Sequence, residues 1–336
     1  MESQAPHKHP MNVVAIGGGN GLATLLSGLK QYVNGGKDGV AIRDLSAIVA
    51  VSDDGGSSGR LRDEFSMPPP GDIRNCMVAL SEDSHLLSRL FQHRFSGAGD
   101  LGGHSFGNLF LAALAEVTGD FGEAVRLSSE VLASKGHIYP ATDTDVRIAA
   151  ELTDGSTVNG ETNIGQMGGR IKRVYLEPSD CEPLETAVKA IAEADLITVG
   201  PGSLYTSLLP PLLVKGLSDA VAKSGGVKVV ISNLMTQPGE TDGLSARRHI
   251  EILKQYAPEI DFHKIIVNTQ RISDAQAEEY GSQGAEQIGV HGSIAGTEID
   301  GAEIVFAELL ADDAKVRHDP GRLAAAALGC VERQIN

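Results

Sequence analysis

Cysteine is scarce in this 336-residue chain: Cys76, Cys181 and Cys330 lie far apart and form no CxxC pair. That excludes a disulfide framework and a thiolate zinc site, and it fits a reducing cytoplasm. Long apolar runs are missing as well, since none approaches the ~18 residues of a membrane span. The first ten residues are polar and carry His7, Lys8 and His9 without an export signal. No membrane insertion is expected. Positive charge is in deficit, with 28 bases against 44 acids and a net charge of −16. Broad contact with nucleic acid is thereby excluded, whereas a small anionic ligand in a local basic pocket is not. The ten histidines supply neither HxxxH nor HExxH spacing, so no catalytic zinc is expected. A P-loop, a G-x-S-x-G elbow and a Cys/His nucleophile pair are also absent, which removes the common ATPase and hydrolase chemistries.

What is present begins at Val13-Val14-Ala15-Ile16, a short apolar run followed by Gly17-Gly18-Gly19-Asn20-Gly21 and then by apolar residues at helical spacing from Leu22. This reads as strand, glycine turn and helix, which aims backbone N–H groups and a positive helix end at a phosphate. Gly18, Gly19, Asn20 and Gly21 are therefore candidate ligand contacts. A strict dinucleotide fingerprint is absent, because a G-x-G-x-x-G pattern started at Gly17 meets Leu22 at its last position.

The rest of the chain alternates. Asp44 to Ser52 reads as a second buried strand, and Asp72 to about Leu132 as several helical pieces. Arg147 to Leu152 and the Asp154-Gly155 turn read as a small antiparallel excursion. Strands follow at Leu196 to Val199, Val227 to Ile231 and Lys264 to Val267, with helices at Leu184 to Glu193, Leu204 to Ala220 (interrupted at Pro210-Pro211) and Ser245 to Tyr256. This pattern predicts an α/β, Rossmann-like fold: a mainly parallel sheet with helices on both faces, plus helical and small β insertions. Residues 1–11 read as a disordered tail and 12–336 as one domain, with 41% hydrophobic residues to build the core.

In open α/β sheets ligands sit beyond the carboxyl ends of the strands, and the polar, glycine-bearing loops here follow strands. The densest runs from Ser52 to Arg62. Asp53 and Asp54 suit ribose hydroxyls or a hydrated Mg²⁺, Ser57 and Ser58 suit phosphate oxygens, and Arg60 or Arg62 suits negative charge. Asp72 reads as the cap of the following helix, with Arg74 one turn inside and better placed for an anion. Ser105 reads as a second cap, flanked by His104 and Asn108 as candidate contacts. Gly202 and Ser203 repeat the opening device. Asn233 begins a long polar loop, Asn233 to Gly243, suited to closing over a ligand.

Six segments together resemble the CofD-like superfamily, and more closely its YvcK branch, the gluconeogenesis factors. They are GGGNGLATLLSGLK from Gly17, VSDDGGSSGRLR from Val51, PPGDIRNC from Pro69, GHSFGNL from Gly103, GPGSLYTSLLPPLL from Gly200 and NLMTQPGETDG from Asn233. The resemblance implies a cytoplasmic bacterial protein that links gluconeogenic carbon metabolism to cell shape and cell-wall precursor supply. It also implies binding of a UDP-sugar such as UDP-N-acetylglucosamine without an established reaction, and self-association into a homo-oligomer. In that reading Gly18 to Gly21 and Gly202-Ser203 hold the diphosphate, Asp53 or Asp54 the hydroxyls, and Arg62 or Arg74 negative charge. CofD itself is a Mg²⁺-dependent transferase of a phospholactyl group. The alternative expectation is therefore a phospho-group transferase with Mg²⁺ on Asp53 and Asp54.

Overall fold

The computed structural model describes residues 10–35, 39–82, 85–166, 170–289 and 297–332; most of the expected N-terminal tail lies outside them. The first strand, β1 (Met11–Gly17), runs through Val13 to Ile16 with those residues buried. It leads through Gly18, in an extended conformation, into α1 (Gly19–Leu29), which buries Leu22, Leu25, Leu26 and Leu29 on one face. Strand β2 (Ile42–Val49) starts and ends two to three residues earlier than its apolar run suggested. Helices α2 (Gly56–Phe65), α3 (Gly71–Leu80), α4 (His85–Gln92), α5 (Phe106–Thr118) and α6 (Phe121–Val131) then form the expected helical insertion before β3 (His137–Pro140).

The small excursion is a separate three-stranded antiparallel sheet. It comprises β4 (Arg147–Leu152), β5 (Thr157–Asn159) and, after α7 (Glu161–Gln166), β6 (Ile171–Glu177), in the order β5-β4-β6. Its hairpin turns at Gly155, whose φ of +87° favours glycine. Helix α8 (Glu185–Ala192) returns the chain to the main sheet at β7 (Leu196–Val199), and β8 (Val227–Ile231) and β9 (Lys264–Asn268) follow. All three strands are buried throughout, as strands covered on both faces must be.

Between β7 and β8 the expected single helix is three pieces. A wide, π-type turn over Leu204–Leu208 passes into α9 (Leu209–Leu213), and α10 (Leu217–Lys223) follows. Pro210 and Pro211 sit in the first turn of α9, where a missing N–H costs nothing. The break falls instead at Gly216, whose φ is +85°. The chain ends with α11 (Ala246–Tyr256), α12 (Asp274–Ser282), β10 (Glu298–Ile299), β11 (Ala302–Ala307) and α13 (Pro320–Glu332).

The main sheet has eight strands in the order β10-β11-β9-β8-β7-β1-β2-β3, parallel except for β10. Strand order reverses at β1, which pairs with β2 on one side and β7 on the other. A crevice is thus dictated between the loops that leave β1 and β7. Among the described residues no helix is long and apolar enough to cross a membrane.

Candidate functional site

The turns after β1 and β7 lie backbone against backbone. A Cβ added to Gly21 would fall 2.4 Å from the Pro201 carbonyl oxygen, so only glycine permits this approach. Beyond that contact opens a cavity of about 750 Å³, within the range of small-molecule sites. Six of the candidate residues line it: Asn20, Gly21, Arg74, Gly202, Ser203 and Asn233. Three others that the sequence did not single out, Tyr280, Arg317 and His318, come from the distant C-terminal segments and complete the wall. A second hollow of about 570 Å³ continues from it, sharing Met235, Thr236 and Ala285 and reaching Ser245, the cap of α11.

Several amides are arranged differently from the expectation. Gly202 N–H donates to Asn233 Oδ1 at 3.2 Å while Asn233 Nδ2 donates to the Gly202 carbonyl at 2.8 Å. Asn233 thus braces the loop, and Gln237 Nε2 donates to Ser203 Oγ at 2.7 Å. On the other side, Gly19 N–H donates to Asp72 Oδ2 at 2.6 Å. Asp72 lies inside the first turn of α3, whose cap position is Pro70, so it does not cap its own helix; it reaches across to the start of α1. Gly18 makes room for it, since a Cβ there would meet Asp72 Oδ2 at 2.7 Å. The first-turn amides of Asn20 and Gly21 remain among those that every helix leaves without an internal acceptor.

The acidic pair divides. Asp53 Oδ1 accepts from Gly55 N–H, and its other oxygen faces Gly71, beside Ser58 Oγ. Asp54 Oδ1 accepts from the Thr162 amide (2.9 Å) and hydroxyl (2.7 Å), tethering the small sheet to this loop. Asp53 and Asp54 thus each commit one carboxylate oxygen to holding this loop. Among the described residues no group of three or more His, Cys, Asp or Glu side chains is arranged to hold a metal.

Behind the crevice, Ser57, His104 and Asn108 form one buried network. Ser57 Oγ lies 3.0 Å from His104 Nδ1, and Asn108 Nδ2 donates to Ser57 Oγ at 3.1 Å. Burial, and then Arg60, pull the His104 pKa down, which favours the neutral ring in this network. Ser105 caps α5 through the Asn108 amide, as read from the sequence. Arg62 points elsewhere: it is 1% exposed, pairs with Asp145 at 2.6 Å and donates to the Val146 carbonyl. The sequence displayed its charge but not its burial, and its place is in the packing rather than the crevice.

Arg74, unlike Arg62, does line the cavity. It is 9% exposed, donates through Nη2 to Asn75 Oδ1, and leaves Nε without a partner. Asp72, which faces Arg74, and two further buried acids are reluctant to ionise. Burial, and then the charge of Asp53, push Asp72 up to about 7 against the Gly19 amide and Arg74. Burial, then Asp72 and Asp53, push Glu161 up to about 9, and burial raises Glu240 to about 7. These acids therefore add less negative charge behind the crevice than their number suggests.

Comparison with known proteins agrees with this architecture. Residues 13–310 match the family described as 2-phospho-L-lactate transferase CofD. The Bacillus subtilis gluconeogenesis factor is 43% identical over 314 residues, covering 93% of this chain and 96% of that protein. The gluconeogenesis factor of Listeria monocytogenes is 41% identical over 332 residues, covering 96% and 97%. A crystal structure of a UPF0052-family protein from Bacillus halodurans superposes with a TM-score of 0.88 at 42% identity, over 96% of this chain and all of that one. The chain belongs to the CofD family, in the branch of the gluconeogenesis factors.

Proposed function

We propose that this protein is a cytoplasmic regulator that binds a nucleotide sugar of the UDP-N-acetylglucosamine type and links gluconeogenic carbon metabolism to cell shape and cell-wall precursor supply. The observation that carries the ligand class is the crevice at the reversal of strand order. There Arg74 and Arg317 join the glycine turns of β1 and β7 around about 750 Å³. Two cations beside a helix start suit a diphosphate. The adjoining hollow of about 570 Å³ suits a second moiety such as a sugar. The gluconeogenic part of that role rests on the name of the relatives, gluconeogenesis factor, and the link to cell shape on the family resemblance.

Titration calorimetry of the purified protein with UDP-N-acetylglucosamine, NAD and ATP, with and without Mg²⁺, followed by chromatography of the ligand, tests this reading. Metal-independent binding of the UDP-sugar without turnover is the expected result. The CofD match and the nearness of Asp53 to Asp72 favour one rival, a phospho-group transferase. Mg²⁺-dependent consumption of a ligand would establish that rival and overturn the regulator.

A further inference from the structure

The crevice contains a hydrogen-bonding imbalance that an anion alone cannot correct. His318 is 9% exposed and lines the cavity, yet its Nε2 has no partner. The Ser232 main chain lies against the ring and favours its protonated form, as a nearby carbonyl does. An Nδ1–H turned to that carbonyl leaves Nε2, which has no partner, as a lone-pair acceptor. Burial pulls the pKa of the ring down to about 4, so it stays neutral in the physiological range. Gln237 Oε1, in the same wall, is a second buried acceptor without a partner. On the α3 side of the cavity the unpartnered atom is a donor, Arg74 Nε. The cavity therefore asks for two things at once: negative charge for Arg74, and hydrogen-bond donors for His318 and Gln237. The fully ionised diphosphate bridge of a nucleotide sugar brings only acceptors and leaves His318 unsatisfied, and a buried unsatisfied acceptor is costly.

Building on the nucleotide-sugar reading, we propose that His318 is a specificity-determining residue whose Nε2 accepts a hydrogen bond from a donor on the nucleoside, either a ribose hydroxyl or the base imide N–H. It thereby selects nucleoside diphosphates over phosphates that carry no donor. The anion supplies attraction through Arg74 and the α1 turn, and His318 reads what is attached to it. Discrimination of this kind is strong because the wrong ligand buries the acceptor without a partner.

The test pairs ligand atoms with protein atoms. Wild type, His318→Phe and His318→Gln are titrated with uridine diphosphate, 2′-deoxyuridine diphosphate, 3′-deoxyuridine diphosphate, N3-methyluridine diphosphate and inorganic pyrophosphate, and the melting temperature of each protein is recorded. Wild type is expected to bind one of the three donor-deleted nucleotides about tenfold more weakly than uridine diphosphate. Which analogue suffers tells a hydroxyl from the imide. His318→Phe should lose a similar factor for uridine diphosphate and show no further loss with that analogue. His318→Gln, which retains an acceptor, should recover part of the affinity, and pyrophosphate binding should be unchanged throughout.

Identical nucleotide preferences in wild type and His318→Phe would overturn the proposal, as would parallel losses for pyrophosphate, the mark of a merely structural role. Wild type that binds no uridine nucleotide at all would instead refute the nucleotide-sugar reading, and this inference with it. Normal binding with no coupling to His318 refutes the inference alone.

Discussion

Two cavities of similar size open at opposite ends of the sheet. The crevice at the carboxyl ends of β1 and β7 measures about 750 Å³, and a groove at the start of β2 and β3, beside α6, about 820 Å³. The groove is the more highly charged, but its charges are spent on one another. Arg126 pairs with Glu123 and Glu130, His137 with Asp44, and Lys135 with Glu82, while Arg43 donates to Asn12. Among the described residues one buried polar atom in its wall, Ser134 Oγ, is left over. The crevice instead holds Arg74 Nε, Gln237 Oε1 and His318 Nε2, buried and unpartnered. Volume alone does not single out a binding site; unspent hydrogen-bonding capacity does.

The sharpest way to break the comparison is Gly21→Ala. Its Cβ would collide with the Pro201 carbonyl oxygen at 2.4 Å, so the two turns must separate. Loss of nucleotide binding by more than about 100-fold is expected, with about 1–3 kcal/mol of stability lost in chemical denaturation. Gly28→Ala is the control, because its Cβ meets the Pro320 carbonyl oxygen at 2.0 Å where α1 packs on α13, outside the crevice wall. It should destabilise comparably while the folded fraction still binds.

Next in size is Arg74→Met. It should weaken diphosphate binding by about 30-fold or more in calorimetry, in line with the ~2–5 kcal/mol lost when one partner of a buried charge contact is removed. The free protein should not become less stable, since a desolvated cation is removed. Arg126→Met, in the groove, should leave binding untouched; an equal loss there would erase the distinction between the two cavities.

Asp72→Asn gives a pH-dependent effect. In the folded protein Asp72 is raised from 3.8 to about 7, so folding favours its protonated form. The cost of ionising it grows as pH rises from about 4 to about 7 and then levels off. The asparagine variant escapes that cost and keeps an acceptor for Gly19. Its stability should match wild type near pH 4 and exceed it at pH 8, by roughly 1–4 kcal/mol on denaturant titration. A gap that is largest in acid would show that Asp72 is held ionised.

The smallest effect belongs to the groove. His137 is raised chiefly by its bond to Asp44, and Asp44 is lowered chiefly by the same bond. The His137 contribution is present below the ordinary histidine value and fades as pH rises through the raised one. The Asp44 contribution is present above the ordinary carboxyl value and fades as pH falls through the lowered one. Both side chains are about half exposed, so His137→Ala should lower the melting temperature by about 1 °C or less near pH 5.5 and not at all at pH 9.

Much of the fold was legible because it is written locally. The apolar run Val13 to Ile16, its glycine turn and the Leu22-Leu25-Leu26-Leu29 face each declare their element within a few residues. Ser105 shows the same for a cap. The site was legible only where a loop follows a strand. Asp72 looks like a cap because Pro70-Gly71-Asp72 is a helix start, and nothing nearby announces that its acceptor role serves Gly19, 53 residues away. Arg62 and Arg74 are equivalent as letters, yet one is consumed by Asp145 and the other faces the cavity. Tyr280, Arg317 and His318 carry no motif at all. They reach the crevice through the pairing of β9 and β11 and the packing of α13, which are properties of the whole sheet.

The contact between Gly21 and Pro201 sets a condition on synthesis. The pocket's first wall is made when about a tenth of the chain exists, but its second wall waits for β7 and its last for His318, close to the other terminus. A nascent or truncated product that stops before β7 can therefore complete the β1-α1-β2 unit and still lack the facing wall of the crevice. Occupancy is in this sense a certificate of finished folding, and a bound molecule stabilises only chains that have threaded all three walls together.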